Sequence, residues 1–449
     1  MLQNLRFTNF KTWDRADLKF GKITGLFGTN SSGKSSLIQF LLLLKQTKEA
    51  TDRGISLDLN GPYVSLGTYK DMIHQHDETK RLDWRLVFKR EKELALIDPS
   101  GKRTESFVRG NEVGVTSSVI EKDVGALADF LSYDIGGAKF ALAPKSAGDT
   151  AYELTSSGSD FRFVRTMGRP WQLPGPIKSY AFPDQARTYF QNASFLSDLE
   201  SAFEEQLDNV FYLGPLRVYP QRDYLWARSR PRDVGLRGEK AIDAILAATI
   251  ANEQRNRVKK GRLRPFQEMI AYWLQQMGLI YDFQVSEIAE GSNRWQAKVR
   301  VRNGGTEALL TDVGFGVSQV LPVVTLLQYV PEGATVILEQ PEIHLHPLAQ
   351  ASLADVLINA ALNRDVQVVV ESHSEHLLLR LQRRIAEEQI SKDDVKLYFC
   401  DLHEAKSQLE ILDVDMFGSI NNWPENFMGD AFGETFATQK ARLERIKSN

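Results

Sequence analysis

The sequence predicts an α/β protein: a mixed, largely parallel sheet covered by helices, with a β-rich and helical insertion near the middle of the chain. Three observations predict it. From residue 311 onward, apolar strand-like runs alternate with helical runs, the pattern of parallel strands buried on both faces. Near the N-terminus, the apolar run Ile23-Thr24-Gly25-Leu26-Phe27 passes through a Gly-rich turn into the helical run 36–44. Between about 51 and 215 the chain shows short β-like runs broken by Gly, Pro, Asn and Asp.

Taken in order, strands are expected near 2–8, 16–20 and 23–27, then a helix after the Gly-rich turn. Residues 84–88 and 93–97 read as two separate strands, and 124–133 and 195–208 as helices. Helical spacing dominates 238–278, where Ile242, Ile245, Leu246 and Ile250 are followed by Phe266, Ile270, Trp273, Leu274 and Met277. Strands return near 281–287 and 295–302. The C-terminal third then predicts helices near 317–329, 348–362 and 375–388, with strands near 335–338, 366–370, 395–401 and 408–413. This gives four segments: 1–50 with the Gly-rich loop, 51–232 as a β-rich insertion, 233–304 as a helix-and-strand arm, and 305–449 as a second lobe. Sustained heptads are absent, which disfavours coiled-coil arms.

Bulk composition is ordinary, with 42% hydrophobic and 25% charged residues and a net charge of −3. Such a balance calls for neither nucleic acid nor a membrane, so any such surface must be local. The lone cysteine, Cys400, excludes an intrachain disulfide and reads as a core residue. No apolar run approaches the ~18 residues of a membrane span, because Gln39 and Lys45 interrupt the longest. A soluble, cytoplasmic protein with no membrane partner is expected.

The Gly-rich turn is Gly28-Thr29-Asn30-Ser31-Ser32-Gly33-Lys34-Ser35-Ser36, which fits G-x-x-x-x-G-K-[ST]. Backbone N–H groups at the start of a helix, reinforced by the helix dipole and the charge of Lys34, form an anion site suited to the β- and γ-phosphates of a nucleoside triphosphate. Such a loop needs a carboxylate for Mg²⁺ and a group that orients water. The strand 335–338 delivers Glu339, the best candidate to hold Mg²⁺ through water together with Ser35, followed by Gln340, Pro341 and Glu342. The strand 366–370 leads into Glu371-Ser372-His373, where His373 could contact the γ-phosphate or the water. Ahead of both, the Gly-rich stretch 311–319 opens a helix and offers a second anion-ready N-terminus.

Other constellations have plainer readings. His344, His346, His373 and His376 could in principle take zinc, but their segments already serve the nucleotide site. Basic runs at 255–264 and at Arg217, Arg222, Arg228, Arg230 and Arg232, the latter interleaved with Tyr219, Tyr224 and Trp226, suit phosphate contacts and base stacking, or simply solvated faces. Residues 64–74 read equally as a coupling segment or an ordinary turn. Asp413 and Asp415 form a nuclease-like pair or, more simply, a solvated strand end, and 421–427 reads as a packed loop before a charged tail helix.

The order of these motifs resembles the ABC-type ATPases of the SMC/RecF branch, and among them the OLD (overcoming lysogenization defect) group and its stand-alone relatives. The segments that carry it are Leu2–Lys11, the loop Gly28–Ser36, Tyr212-Leu213-Gly214-Pro215-Leu216-Arg217, Leu338–Pro347 as Walker B and D-loop, and Glu371–Ser374 as the switch-histidine segment. The resemblance is strong over 1–40 and 305–380 and loose between. It implies an ABC-type head that binds ATP and Mg²⁺ and pairs head-to-tail as a homodimer or higher homo-oligomer. ATP held by Gly28, Asn30, Ser31, Ser32, Gly33, Lys34, Ser35 and Ser36 of one subunit would be capped by Gly314, Gly316 and Ser318 of the other.

Two departures stand out. The signature loop lacks the usual Ser before its glycine, and Gln340 occupies the position of the water-polarising glutamate. Glutamine orients water but cannot accept its proton, so base help would come from Glu342 or Glu371 and turnover should be slow or need a partner. The resemblance further implies a switch in anti-phage defence or nucleic-acid surveillance, acting with DNA or RNA and a separately encoded effector such as a nuclease. Only about 35 residues follow position 415, fewer than the ~50 of a small domain. The alternatives are a RecF-like repair ATPase, an ATP-binding scaffold with little hydrolysis and, least suited, a transporter motor subunit.

Overall fold

Five parallel strands organise the centre of the molecule, with a sixth antiparallel strand at one edge. Their spatial order is Lys406–Ile411, Val395–His403, Ile23–Gly28, Gln367–Glu371, Thr335–Glu339 and Val210–Leu213. Only the pair Val395–His403 and Lys406–Ile411 is antiparallel. The structure, a computed structural model, describes residues 1–98, 106–122, 125–146, 150–168 and 172–424, and single helical positions at 438 and 445.

These strands read as unbroken apolar runs because both faces are covered. Alternate residues serve two different cores. Leu26, Ile337, Val369, Tyr398 and Cys400 face one; Phe27, Val336, Leu338, Val368, Val370, Leu397 and Phe399 face the other. The second core is built by the helices Ala241–Ile250, Phe266–Gln276, Phe315–Tyr329, Pro347–Asn363 and Glu375–Ala386. The first contains the helix Lys34–Glu49, packed between the parallel sheet and an antiparallel one. Leu41, Leu42, Leu43 and Leu44 are all buried, so the middle of this helix is enclosed on every side. Each such side chain contributes roughly 1.5–3 kcal/mol on burial.

The antiparallel sheet has seven strands, in the order Trp13–Lys19, Leu2–Phe10, Leu82–Ile97, Ser106–Lys122, Gly125–Ile135, Ala138–Pro144 and Tyr152–Ser157. A smaller sheet joins Tyr224–Leu225, Arg294–Arg300, Asp282–Glu287 and Glu307–Leu309. The architecture is thus mixed α/β with a helix-covered parallel sheet and a β-rich insertion, as expected.

Three local expectations are corrected. The helix expected over 124–133 is not formed by its described residues: Gly125–Ile135 is a strand paired on both sides, and cross-strand partners override the helical leaning of Ala126, Leu127 and Ala128. The strands expected at 84–88 and 93–97 are one, Leu82–Ile97, with a register shift between Lys89 and Leu94. The helical stretch 238–278 is interrupted by a ribbon, Gln254–Asn256 with Leu263–Pro265. Its Arg255 and Arg257 lie over the rings of Phe266 and Tyr272.

Candidate active site

The Gly-rich loop leaves the strand Ile23–Gly28 at its C-terminal end, where ligands of open α/β sheets sit. Two of its glycines are obligatory. Gly28 has φ 138°, and a Cβ there would lie 2.0 Å from the carbonyl oxygen of Cys400 on the neighbouring strand. Gly33 has φ 92°, and a Cβ there would meet the Ser407 hydroxyl at 2.4 Å and the Trp13 indole nitrogen at 2.8 Å. Trp13 also donates to the Gly33 carbonyl at 3.1 Å. The loop is therefore wedged between the first hairpin and the sheet edge. The helix that follows begins with no side-chain cap, which leaves its dipole free for an anion.

Lys34 is buried and donates to the carbonyls of Gly28 at 3.1 Å and Thr29 at 2.6 Å. Burial lowers its pKa, and the charge of Glu371 opposes that shift. Asn30 and Ser31 are exposed at the loop tip, while Ser32 is buried.

The neighbouring strand ends supply the acids. In the parallel register Glu371 pairs with Leu26 of the loop strand on one side and with Glu339 on the other. The Ser35 hydroxyl donates to Glu371 Oε1 at 3.0 Å. Glu371 is 2% exposed, and its Oε2 is buried without a protein partner. Burial raises its pKa, against the Ser35 hydrogen bond and the Lys34 charge. Glu339, one strand further away, accepts from the Tyr212 hydroxyl at 2.9 Å. Its carboxyl is pushed up to about 7 by burial and by the Glu371 charge, with the Tyr212 hydrogen bond opposing.

Beyond Glu339 the chain turns sharply. Gln340 has φ 43°, and its N–H donates to the Glu371 carbonyl at 2.8 Å. The buried Arg217 guanidinium braces this turn by donating to the Glu339 carbonyl at 3.1 Å. Burial pulls its pKa down to about 10, with the Glu342 charge acting the other way. Glu342 is buried too and accepts from the His373 N–H at 2.8 Å; burial raises its pKa. His373 is hydrogen-bonded to the Gly28 backbone, and burial followed by the Lys34 charge lowers its pKa, with that hydrogen bond opposing.

Lys34, Ser35, Glu339, Gln340, Glu342 and His373, far apart in sequence, thus share one sheet edge with Glu371. Gly314, Gly316 and Ser318 lie at the start of the helix Phe315–Tyr329, against the loop that follows Gln340. Gly314 is exposed at the uncapped start of the helix Phe315–Tyr329. The Phe315 ring contacts Tyr219 at 5.2 Å and His344 at 4.8 Å. A Cβ on Gly316 would sit 3.0 Å from the His344 carbonyl. The Ser318 hydroxyl donates to the Phe315 carbonyl at 2.8 Å.

The sequence gives Tyr212 no role at the site beyond its place in a family-like segment, and puts Arg217 in a stretch suited to phosphate contacts or a solvated face; the structure corrects both. The arginine belongs to a basic, aromatic-rich stretch, yet it is buried against Glu339 rather than offered to a phosphate backbone. Its neighbours pair within the chain: Arg222 with Asp312, Arg230 with Glu253, and Arg232 with Asp208. The signal for burial was the adjacent strand, since Tyr212 and Leu213 precede the turn that holds Arg217.

Among the described residues no three metal-ligating side chains come together, and His346 instead caps the helix Pro347–Asn363. Within residues 64–74, Thr68 and Asp71 make a capping box for the one-turn helix Tyr69–Met72. Asp415 accepts the N–H groups of Phe417 and Ser419 in a loop, and Cys400 is a core residue whose thiol burial pushes up to about 12. The loop 421–427 lies partly, and the charged tail helix mostly, outside the described residues.

A family profile described as "AAA domain, putative AbiEii toxin, Type IV TA system" matches residues 146–380, more than half of the chain. A second, described as "Protein of unknown function (DUF3696)", matches 390–437. Among solved structures, the SMC head domain from Thermotoga maritima is 11% identical, with a TM-score of 0.41 over 92% of this chain and 99% of that one. An SMC head bound to the C-terminal winged-helix domain of ScpA is 12% identical, with a TM-score of 0.45 over 92% and 98%. An SMC head with an extended coiled coil bound to the C-terminal domain of ScpA, derived from Pyrococcus furiosus, is 10% identical, with a TM-score of 0.44 over 92% and 96%. No curated protein sequence matches the chain.

Proposed function

Because the chain belongs to the AAA-domain family whose profile spans residues 146–380, we propose that it is a Mg²⁺-dependent ATPase that works as a slow switch. One observation carries this reading: the Ser35 hydroxyl of the Gly-rich loop donates to a buried carboxylate, Glu371, which also feels the Lys34 charge and whose second oxygen has no protein partner. Those residues fit a hard cation held beside phosphates, since Mg²⁺ takes oxygen ligands and keeps several waters. When bound, the metal supplies charge neutralisation at the phosphate oxygens.

The chain's own groups do the rest. Backbone N–H groups of 30–36 cradle the phosphates, and Lys34 exchanges its loop carbonyls for phosphate oxygens. Gln340, braced by Arg217, orients the attacking water, and His373 stands over Gly28 where the terminal phosphate arrives. Gln340 cannot take the water's proton, so the proton passes to a neighbouring carboxylate, Glu342 or Glu371. Turnover is correspondingly slow.

The exposed Gly314 at an uncapped helix start supports an ATP-linked pairing with a second copy, and that pairing would gate a separately encoded effector, with DNA or RNA as the sensed partner. A non-hydrolysing scaffold is the second reading, and Gln340 favours it. Steady-state hydrolysis by the purified chain decides between them. The expected rate lies below ~10 s⁻¹, the median for enzymes, disappears in Lys34→Ala and rises in Gln340→Glu. A Lys34→Ala variant that binds ATP as wild type does would overturn the assignment of the loop.

A further inference from the structure

The acid expected to serve the metal is Glu339, but the side-chain contacts favour its neighbour. Glu371 lies on the strand that pairs directly with the loop strand, at the level of Leu26. The ladder continues past it, because Ser372 N–H donates to the Leu26 carbonyl at 3.1 Å and fixes the Glu371 backbone against the loop. Glu339 is one strand further out, about 5 Å more in the hydrogen-bonding direction. Tyr212 already engages its Oε1. Ser35, the hydroxyl of the loop motif, donates to Glu371. With its hydrogen given to Glu371, the Ser35 oxygen keeps its lone pairs as acceptors, and Glu371 keeps Oε2, buried and without a protein partner, for a further ligand.

Resting on the nucleotide-site reading above, we propose that Glu371 is the carboxylate that holds the nucleotide's divalent cation with Ser35, and that Glu339 is an outer group positioned by Tyr212. The strand between the loop strand and the Glu339 strand thereby contributes a metal ligand as well as the histidine that follows it. With Glu371 on the cation, Glu342 is left as the carboxylate that takes the water's proton beside Gln340.

Manganese binding to the full chain carrying a non-hydrolysable ATP analogue tests this, read by electron paramagnetic resonance of free Mn²⁺. Nucleotide affinity is measured separately in EDTA and serves as the folding control. Glu371→Gln keeps the acceptor for Ser35 and should bind the analogue in EDTA as wild type does, yet lose at least tenfold in Mn²⁺ affinity. Glu339→Gln should lose less than threefold. Ser35→Ala combined with Glu371→Gln should lose less than the product of the two single effects, because both changes remove one ligand pair. Glu339→Gln carrying the loss while Glu371→Gln behaves as wild type would overturn the proposal, as would two silent variants. A wild-type chain that binds no analogue in EDTA overturns the nucleotide reading itself and this proposal with it.

Discussion

Glu339→Gln should make the protein more stable at alkaline pH and leave it nearly unchanged in acid. In the folded chain the Glu339 carboxyl is pushed from 4.5 to about 7, first by burial and then by the Glu371 charge. An acid with a raised pKa holds its proton in the native state after the unfolded chain has released it. The stability it lends is complete below about 4.5 and is lost as pH rises through about 7. Integrated from pH 5 to pH 8, a shift of that size costs the native state about 2.5 kcal/mol. Glutamine has the same shape, still accepts the Tyr212 hydrogen bond, and does not titrate. Urea unfolding of wild type and variant at pH 5 and pH 8, without nucleotide or divalent cation, should therefore show a stability difference that grows by about 2.5 kcal/mol across that interval. Glu342 and Glu371 also have raised values, so wild type keeps part of its decline in either protein. A difference between the two proteins that is the same at both pH values would refute this account of the buried acids.

Two further outcomes follow from buried groups around the site. Arg217→Ala removes the donor to the Glu339 carbonyl and the cation facing Glu342; it should cost about 3 kcal/mol in urea unfolding, and a loss below 0.5 kcal/mol would contradict a bracing role. Cys400, with its thiol pushed up to about 12, should resist an aromatic disulfide reagent at pH 8 until the protein is unfolded, and immediate stoichiometric labelling of the native chain would refute its burial.

Much of the candidate site was legible because its chemistry is written in contiguous motifs. Gly28–Ser36 carries spacing, charge and conformational demand within nine residues, and Glu339 and His373 each follow a short apolar strand. The C-terminal alternation was legible for a related reason: strands buried on both faces have no polar register to blur them. The segment Gly125–Ile135 was illegible because its Ala and Leu residues favour a helix locally, and only partners on two neighbouring strands make it extended. Arg217 misled for the opposite reason. Its charge suggests a surface, and nothing local reveals that a turn folds it beneath the end of the Glu339 strand.

The sequence by itself determined the Gly-rich loop, the alternating strands and the absence of a proton acceptor at Gln340, because each depends on residue type at short range. Tertiary structure alone decided which carboxylate meets Ser35. That choice rests on strand order, which inserts the Gln367–Glu371 strand between the loop strand and the Glu339 strand. Strand order is set by how two cores close over both faces of a sheet, and no local stretch of sequence encodes that closure.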